Sequence, residues 1–140
     1  AVALTARALR GVFEPACWVN DQNPFQAPDS DPEPDVSVIP GHPRDLTDHP
    51  AVAVLVVEVA ETSLDHDLTT KAELYAAAGV PEYWVVDLTG RKLIVFRDPA
   101  PLPAALGATA YRSRAEFGPG DAVSPAAAPG ATVRVADLLP

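Results

Sequence analysis

A chain of 140 residues, 48% of them hydrophobic, is long enough to bury one real core and too apolar to stay disordered. Its net charge of −9 excludes a nonspecific basic coat for nucleic acid, and its single cysteine, Cys17, excludes a disulfide framework or a cysteine-based zinc site within one chain. The apolar run around Val52 to Val59 is far too short to cross a membrane, so no membrane partner is expected, and the cysteine usage fits a reducing, cytoplasmic setting.

Ala1 to Arg10 already reads as the middle of a helix, with Val2, Leu4, Ala8 and Leu9 as its apolar stripe and Gly11 as its stop. With no initiating Met, the expectation is that an N-terminal element precedes residue 1. Cys17-Trp18-Val19 predicts a short strand. Asn20 to Pro34 is polar and proline-rich, a loop leading into the alternating strand Asp35 to Ile39, which Pro40-Gly41 ends. Gly41 to Pro50 is irregular, and Ala51 to Ala60 is a long buried strand. A helix from about Leu68 to Ala78 follows, with Asp67 capping its start, Gly79 taking the left-handed position at its end and Pro81 forbidding continuation. Tyr83 to Asp87 and Lys92 to Phe96 form a hairpin about Thr89-Gly90. Short strands near Ala110 to Arg112 and Thr132 to Val135 are expected to extend a sheet edge. A buried strand, a helix and a second apolar strand predict a parallel crossover. The fold class is therefore α/β (α+β), a mixed sheet flanked by helices, in a single domain.

Glu58 is the residue that this pattern leaves unexplained. It sits inside the apolar run, with Val59 and Ala60 beyond it, where an unpaired carboxylate is costly unless a cation compensates. Lys71 breaks two rules at once: it shares a helix face with Leu74, Tyr75 and Ala78, the stripe expected to face the sheet, and it lies in the first turn, where the helix dipole disfavours a cation. Asp35, at the head of the preceding strand, is weaker alone, because an Asp after Pro is commonly turn chemistry. Together the three are the parts of a metal-dependent phosphodiesterase. Asp35 and Glu58, with a main-chain carbonyl just after Glu58, offer the hard oxygen ligands that magnesium takes. Lys71 would orient or deprotonate a water, or neutralise a developing oxyanion. His42, His49 and His66 lack the spacing of a zinc site; Gln22 and Glu61 read as polar loop or strand-end residues rather than groups near the metal, and Tyr83 and Trp84 as packing.

Pro34-Asp35, then Glu58-Val59-Ala60, then Asp67-x-x-x-Lys71-x-x-x-Tyr75 running on through Gly79-Val-Pro-Glu-Tyr-Trp-Val-Val-Asp87, with Gln22-Asn-Pro upstream, resembles the Uma-two family of bacterial restriction-endonuclease-like proteins. That family lies within the PD-(D/E)XK nuclease superfamily. The resemblance implies a restriction-endonuclease-like mixed sheet, Asp35 and Glu58 as ligands of Mg2+ (or Mn2+), and Lys71 as the catalytic lysine. In many superfamily members the lysine lies two residues after the Glu; here that position is Ala60, so the lysine has moved to the helix. Leu68 departs from the Arg common in the family, and an upstream strand is missing. The implied function is a metal-dependent DNA endonuclease, working as a homodimer because one acidic domain offers little DNA-binding surface. The alternative is a catalytically inactive nuclease fold kept as a binding or regulatory module; hydrolysis of another phosphoester is a third, weaker reading.

Overall fold

The computed structural model describes residues 1–21, 34–41, 53–101 and 109–140; Gln22, His42 and His49 lie outside them. In the described residues, strands β1 (Cys17–Asp21), β2 (Val36–Pro40), β3 (Leu55–Ala60), β4 (Glu82–Asp87), β5 (Lys92–Pro101) and β6 (Thr109–Phe117) form one sheet in sequence order. Every neighbouring pair is antiparallel except β3 and β4, which are parallel. That exception is the expected crossover, because two parallel neighbours cannot be joined by a tight hairpin.

The crossover is made by two helices, α2 (Leu64–Leu68) and α3 (Thr70–Ala77), rather than the single helix expected from Leu68. Thr69 separates them: its hydroxyl donates back to the Asp65 carbonyl at 2.7 Å, a bond that bends helices. Asp67 consequently lies inside α2 and caps nothing, and Ser63 occupies the N-cap position. The C-terminus of α3 matches expectation. Gly79 adopts φ +83°. The Val80 amide donates to the Tyr75 carbonyl and the Gly79 amide to that of Ala76, each at 3.1 Å, which is a Schellman closure. Tyr75 and Val80 also pack in the same core, so the closure fixes how the helix is rolled on the sheet.

The alternation of strand residues gives the sheet two faces. One buries Val36, Val38, Leu55, Val57, Trp84 and Val86 beneath the N-terminal helix α1 (Val2–Phe13). The other buries Val56, Ala60, Tyr83, Val85 and Ile94 beneath α3. Each such Val or Leu contributes roughly 1.5–3 kcal/mol. Helix α1 buries Thr5, Ala6, Leu9 and Phe13, so the stripe is rotated from the one expected, and it runs through the exposed Gly11. In α3, Ala72, Tyr75 and Ala76 are buried, whereas Leu74 and Ala78 are exposed. Cys17 packs half-buried against the α1 core, and burial pushes its thiol pKa up.

Ala110 to Arg112 does belong to the sheet's edge, as part of β6. Thr132 to Val135 does not: β8 (Val133–Arg134) pairs with β7 (Ala122–Val123) in a separate ribbon. Val123, Val133, Val135 and Leu138 are buried against the α1 core, which holds the ribbon away from the edge. In the β4–β5 hairpin the left-handed residue is Arg91, not Gly90. At Gly90 a Cβ would meet Asp87 Oδ2 at 2.3 Å, so the carboxylate that accepts the Gly90 amide would have to shift.

Glu82 ties the ribbon segment to the sheet. Fully buried, it accepts the Trp84 indole N–H, the Arg97 Nε and the Ala126 amide, each at 2.8 Å. Removing that carboxylate leaves the buried Trp84 indole N–H unpaired and takes from Arg97 its charge partner, leaving that side chain the Ser124 carbonyl alone. Glu82→Ala is therefore expected to cost about 3 kcal/mol in urea unfolding, and a loss below about 1 kcal/mol would show the hub to be dispensable.

Candidate active site

Strand register brings Asp35 and Glu58 together before any side chain is considered. Val36 pairs with Val57 across the antiparallel β2–β3 ladder, so Asp35 stands opposite Glu58 and both point toward the α3 face. Two hydrogen bonds lock the pair. The Asp35 amide donates to Glu58 Oε1 at 2.9 Å, and the Val59 amide donates to Asp35 Oδ2 at 2.8 Å. The parallel crossover then carries α3 over the same face and delivers Lys71, whose Nζ donates to Glu58 Oε2. All three residues picked out in the sequence are thus in one site.

Glu58 is 1% exposed. Dehydrating it costs several kcal/mol, against roughly 1.5–3 kcal/mol for each charge-assisted hydrogen bond that it accepts. Dehydration wins: burial pushes the Glu58 pKa above its ordinary value, the Lys71 and Asp35 hydrogen bonds only partly offset this, and the Asp35 charge adds to the rise. The Lys71 side chain keeps 21% of its exposure and has two carboxylate neighbours. Its burial lowers the amine's pKa, but the contacts with Glu58 and Asp67 more than reverse that, so the net shift is upward and Lys71 is an ammonium. One contact therefore holds the lysine charged without fully repaying the glutamate.

Sequence reasoning overlooked Asp67 as a site residue. It is 1% exposed, accepts the Ser63 hydroxyl at Oδ2 (2.8 Å) and places Oδ1 3.3 Å from Lys71 Nζ. The signal was present, because Asp67 and Lys71 are four residues apart and fall on one helical face; reading Asp67 as a cap hid it. Tyr83 backs the group by donating to the Asp67 carbonyl at 3.0 Å, and the buried Tyr75 hydroxyl has no hydrogen-bond partner among the described residues. His66 and Glu61 are exposed. Ala60, at the position of the alternative lysine, is 1% exposed in the core. Tyr83 and Trp84 are both fully buried, as packing residues should be.

Among the described residues, no group of three or more His, Cys, Asp or Glu side chains could hold a metal ion. Two facing carboxylates nevertheless suit magnesium, which keeps several waters and needs only one or two such ligands. Their mutual repulsion is one that a shared cation would relieve. A cleft of about 490 Å³ opens beside Ser63, lined also by Glu61, Asp65 and Asp87, an acidic wall that repels phosphate.

A sequence profile of the Uma2 family, described as "Putative restriction endonuclease", matches residues 1–136. No curated protein matches the sequence significantly. Among solved structures, the chain resembles "a putative nuclease belonging to DUF820" from Anabaena variabilis, with 16% identity, a TM-score of 0.65, and coverage of 98% of this chain and 76% of that one. That likeness agrees with a nuclease-like mixed α+β fold.

The raised Glu58 pKa has a sign that can be measured in the metal-free protein. Between the unfolded value, near 4.5, and the higher native one, the native state binds more protons, so stability falls as pH rises through that window. Above the native value the loss is constant. The stability of Glu58→Gln minus that of wild type should therefore climb with pH across the window in urea titrations; a flat difference contradicts the dehydration argument. The Lys71 contribution, by contrast, is present at and below its ordinary value of 10.5 and is lost as pH rises through the higher native one.

Proposed function

The chain belongs to the Uma2 family, and on that premise we propose that it is a metal-dependent DNA endonuclease hydrolysing phosphodiester bonds, with Asp35 and Glu58 as cation ligands and Lys71 as the catalytic lysine. The observation that carries this is the meeting of Asp35, Glu58 and Lys71 on one sheet face, joined by the two cross-strand hydrogen bonds and the Lys71–Glu58 pair.

Asp35 and Glu58 would hold a magnesium or manganese ion, which when bound would supply an acidified water and positive charge at the phosphate. Asp35 and Glu58 keep their facing orientation because each is hydrogen-bonded to the other strand's backbone. Lys71, held as an ammonium, is suited to donate to a phosphate oxygen as negative charge develops there, rather than to act as the base. The acidic net charge fits assembly as a homodimer that pools scarce basic surface.

One observation favours the second reading, a catalytically silent nuclease fold serving as a binding or regulatory module. The Lys71 ammonium already engages Glu58, so the site can stand as a structural ion pair. Plasmid cleavage separates the two. The endonuclease nicks supercoiled DNA in Mg2+ or Mn2+, and Lys71→Ala and Glu58→Ala each lose about a hundredfold or more with the fold retained. Equal activity in all three proteins reveals a contaminant and sinks the assignment. Manganese at a hundredfold excess over Kd should also stabilise wild type by about 2.7 kcal/mol and leave Glu58→Ala unmoved.

A further inference from the structure

Asp67 has no ligand to hold in the site as described, yet it is almost wholly dehydrated, which a carboxylate tolerates only when compensated. Its Oδ2 is occupied by the Ser63 hydroxyl and its carbonyl by that of Tyr83. Its Oδ1 has no aligned hydrogen bond among the described residues, only the 3.3 Å ion pair with Lys71. The cation beside Asp67 among the described residues is Lys71, so Asp67 serves the lysine.

The Lys71 ammonium is therefore shared, held closer by Glu58 than by Asp67. A cation that takes Glu58 must displace the amine, and the displaced amine has a second buried acceptor one helical turn back. We propose that Asp67 is a positioning residue that holds the Lys71 ammonium beside the site when a divalent cation engages Asp35 and Glu58, and so eases cation binding. This rests on the reading of Asp35 and Glu58 as cation ligands. Without Asp67, the amine has Glu58 alone and competes harder for it.

The test is calorimetric titration of Mn2+ alone into the full chain of wild type, Asp67→Asn, Lys71→Met and the double variant. Lys71→Met should tighten Mn2+ about tenfold by removing the competitor, and Asp67→Asn should weaken it about tenfold. In the Lys71→Met background, Asp67→Asn should change affinity by less than about twofold. The proposal is overturned if Asp67→Asn leaves affinity unchanged, or weakens it equally without the lysine, the mark of simple charge loss. Ser63→Ala, a gentler change, should act in the same direction and also only when Lys71 is present. Should Asp67→Asn not fold, a Ser63→Ala result lacking that dependence overturns the proposal by itself. Absence of any Mn2+ binding to wild type removes the cation site and this role together, whereas binding without coupling removes the Asp67 role alone.

Discussion

Glu58 must exist as a nearly water-free carboxylate in a strand whose other members on the same face, Val56 and Ala60, are core residues, and its surroundings answer that constraint. One oxygen takes the Asp35 amide, just ahead of β2, and the other takes the Lys71 ammonium. Neither contact is dispensable, because each offsets a part of a dehydration cost that no single hydrogen bond matches. The pair does not fully repay the glutamate. The buried Glu82, paired with Arg97, instead accepts from three donors.

Topology does the assembly. The antiparallel β2–β3 ladder sets Asp35 across from Glu58 by register alone. The parallel β3–β4 pair requires a crossover, and its helices cover the face on which the two carboxylates stand. A one-residue slip in the β2–β3 ladder would turn a carboxylate to the opposite face, into the apolar core under α1. The same register that buries the Val residues therefore also builds the site.

Much of this was legible in the residues. A Glu inside a valine run, and a Lys on the buried face of a helix, are violations that only a shared environment resolves. The succession of elements along the chain and the parallel crossover followed from periodicity and turn signals. Less visible were features decided by tertiary contact. The exact roll of α1 and α3 depended on which residues the sheet accepted: Leu4 and Leu74 were left outside, while Thr5 and Ala72 were drawn in. The break at Thr69 arises from a side chain bonding its own helix, which apolar spacing does not reveal. Asp67 looked like a cap because Asp before an apolar run commonly is one. Only the earlier start of α2 moved it inside a helix and toward the lysine.

The placement of the lysine on a helix has a structural consequence. Ala60 and Glu58 are two apart on one strand, so they share a face, and a lysine at position 60 would have been anchored by the sheet itself. An amine arriving from α3 has no such anchor, because a helix lying on a sheet can roll. Here the roll is fixed at both ends. At the C-terminus the Schellman closure pins Tyr75 and Val80 into the core, with the Tyr111 hydroxyl donating to the Val80 carbonyl at 2.7 Å. On the N-terminal side the Tyr83 hydroxyl holds the Asp67 carbonyl, and Ser63 orients the Asp67 carboxylate. Those contacts supply from helix and side chains what a strand would have supplied from backbone register. Hence the stretch from Ser63 to Tyr83 works as one device for holding a single ammonium group between Glu58 and Asp67.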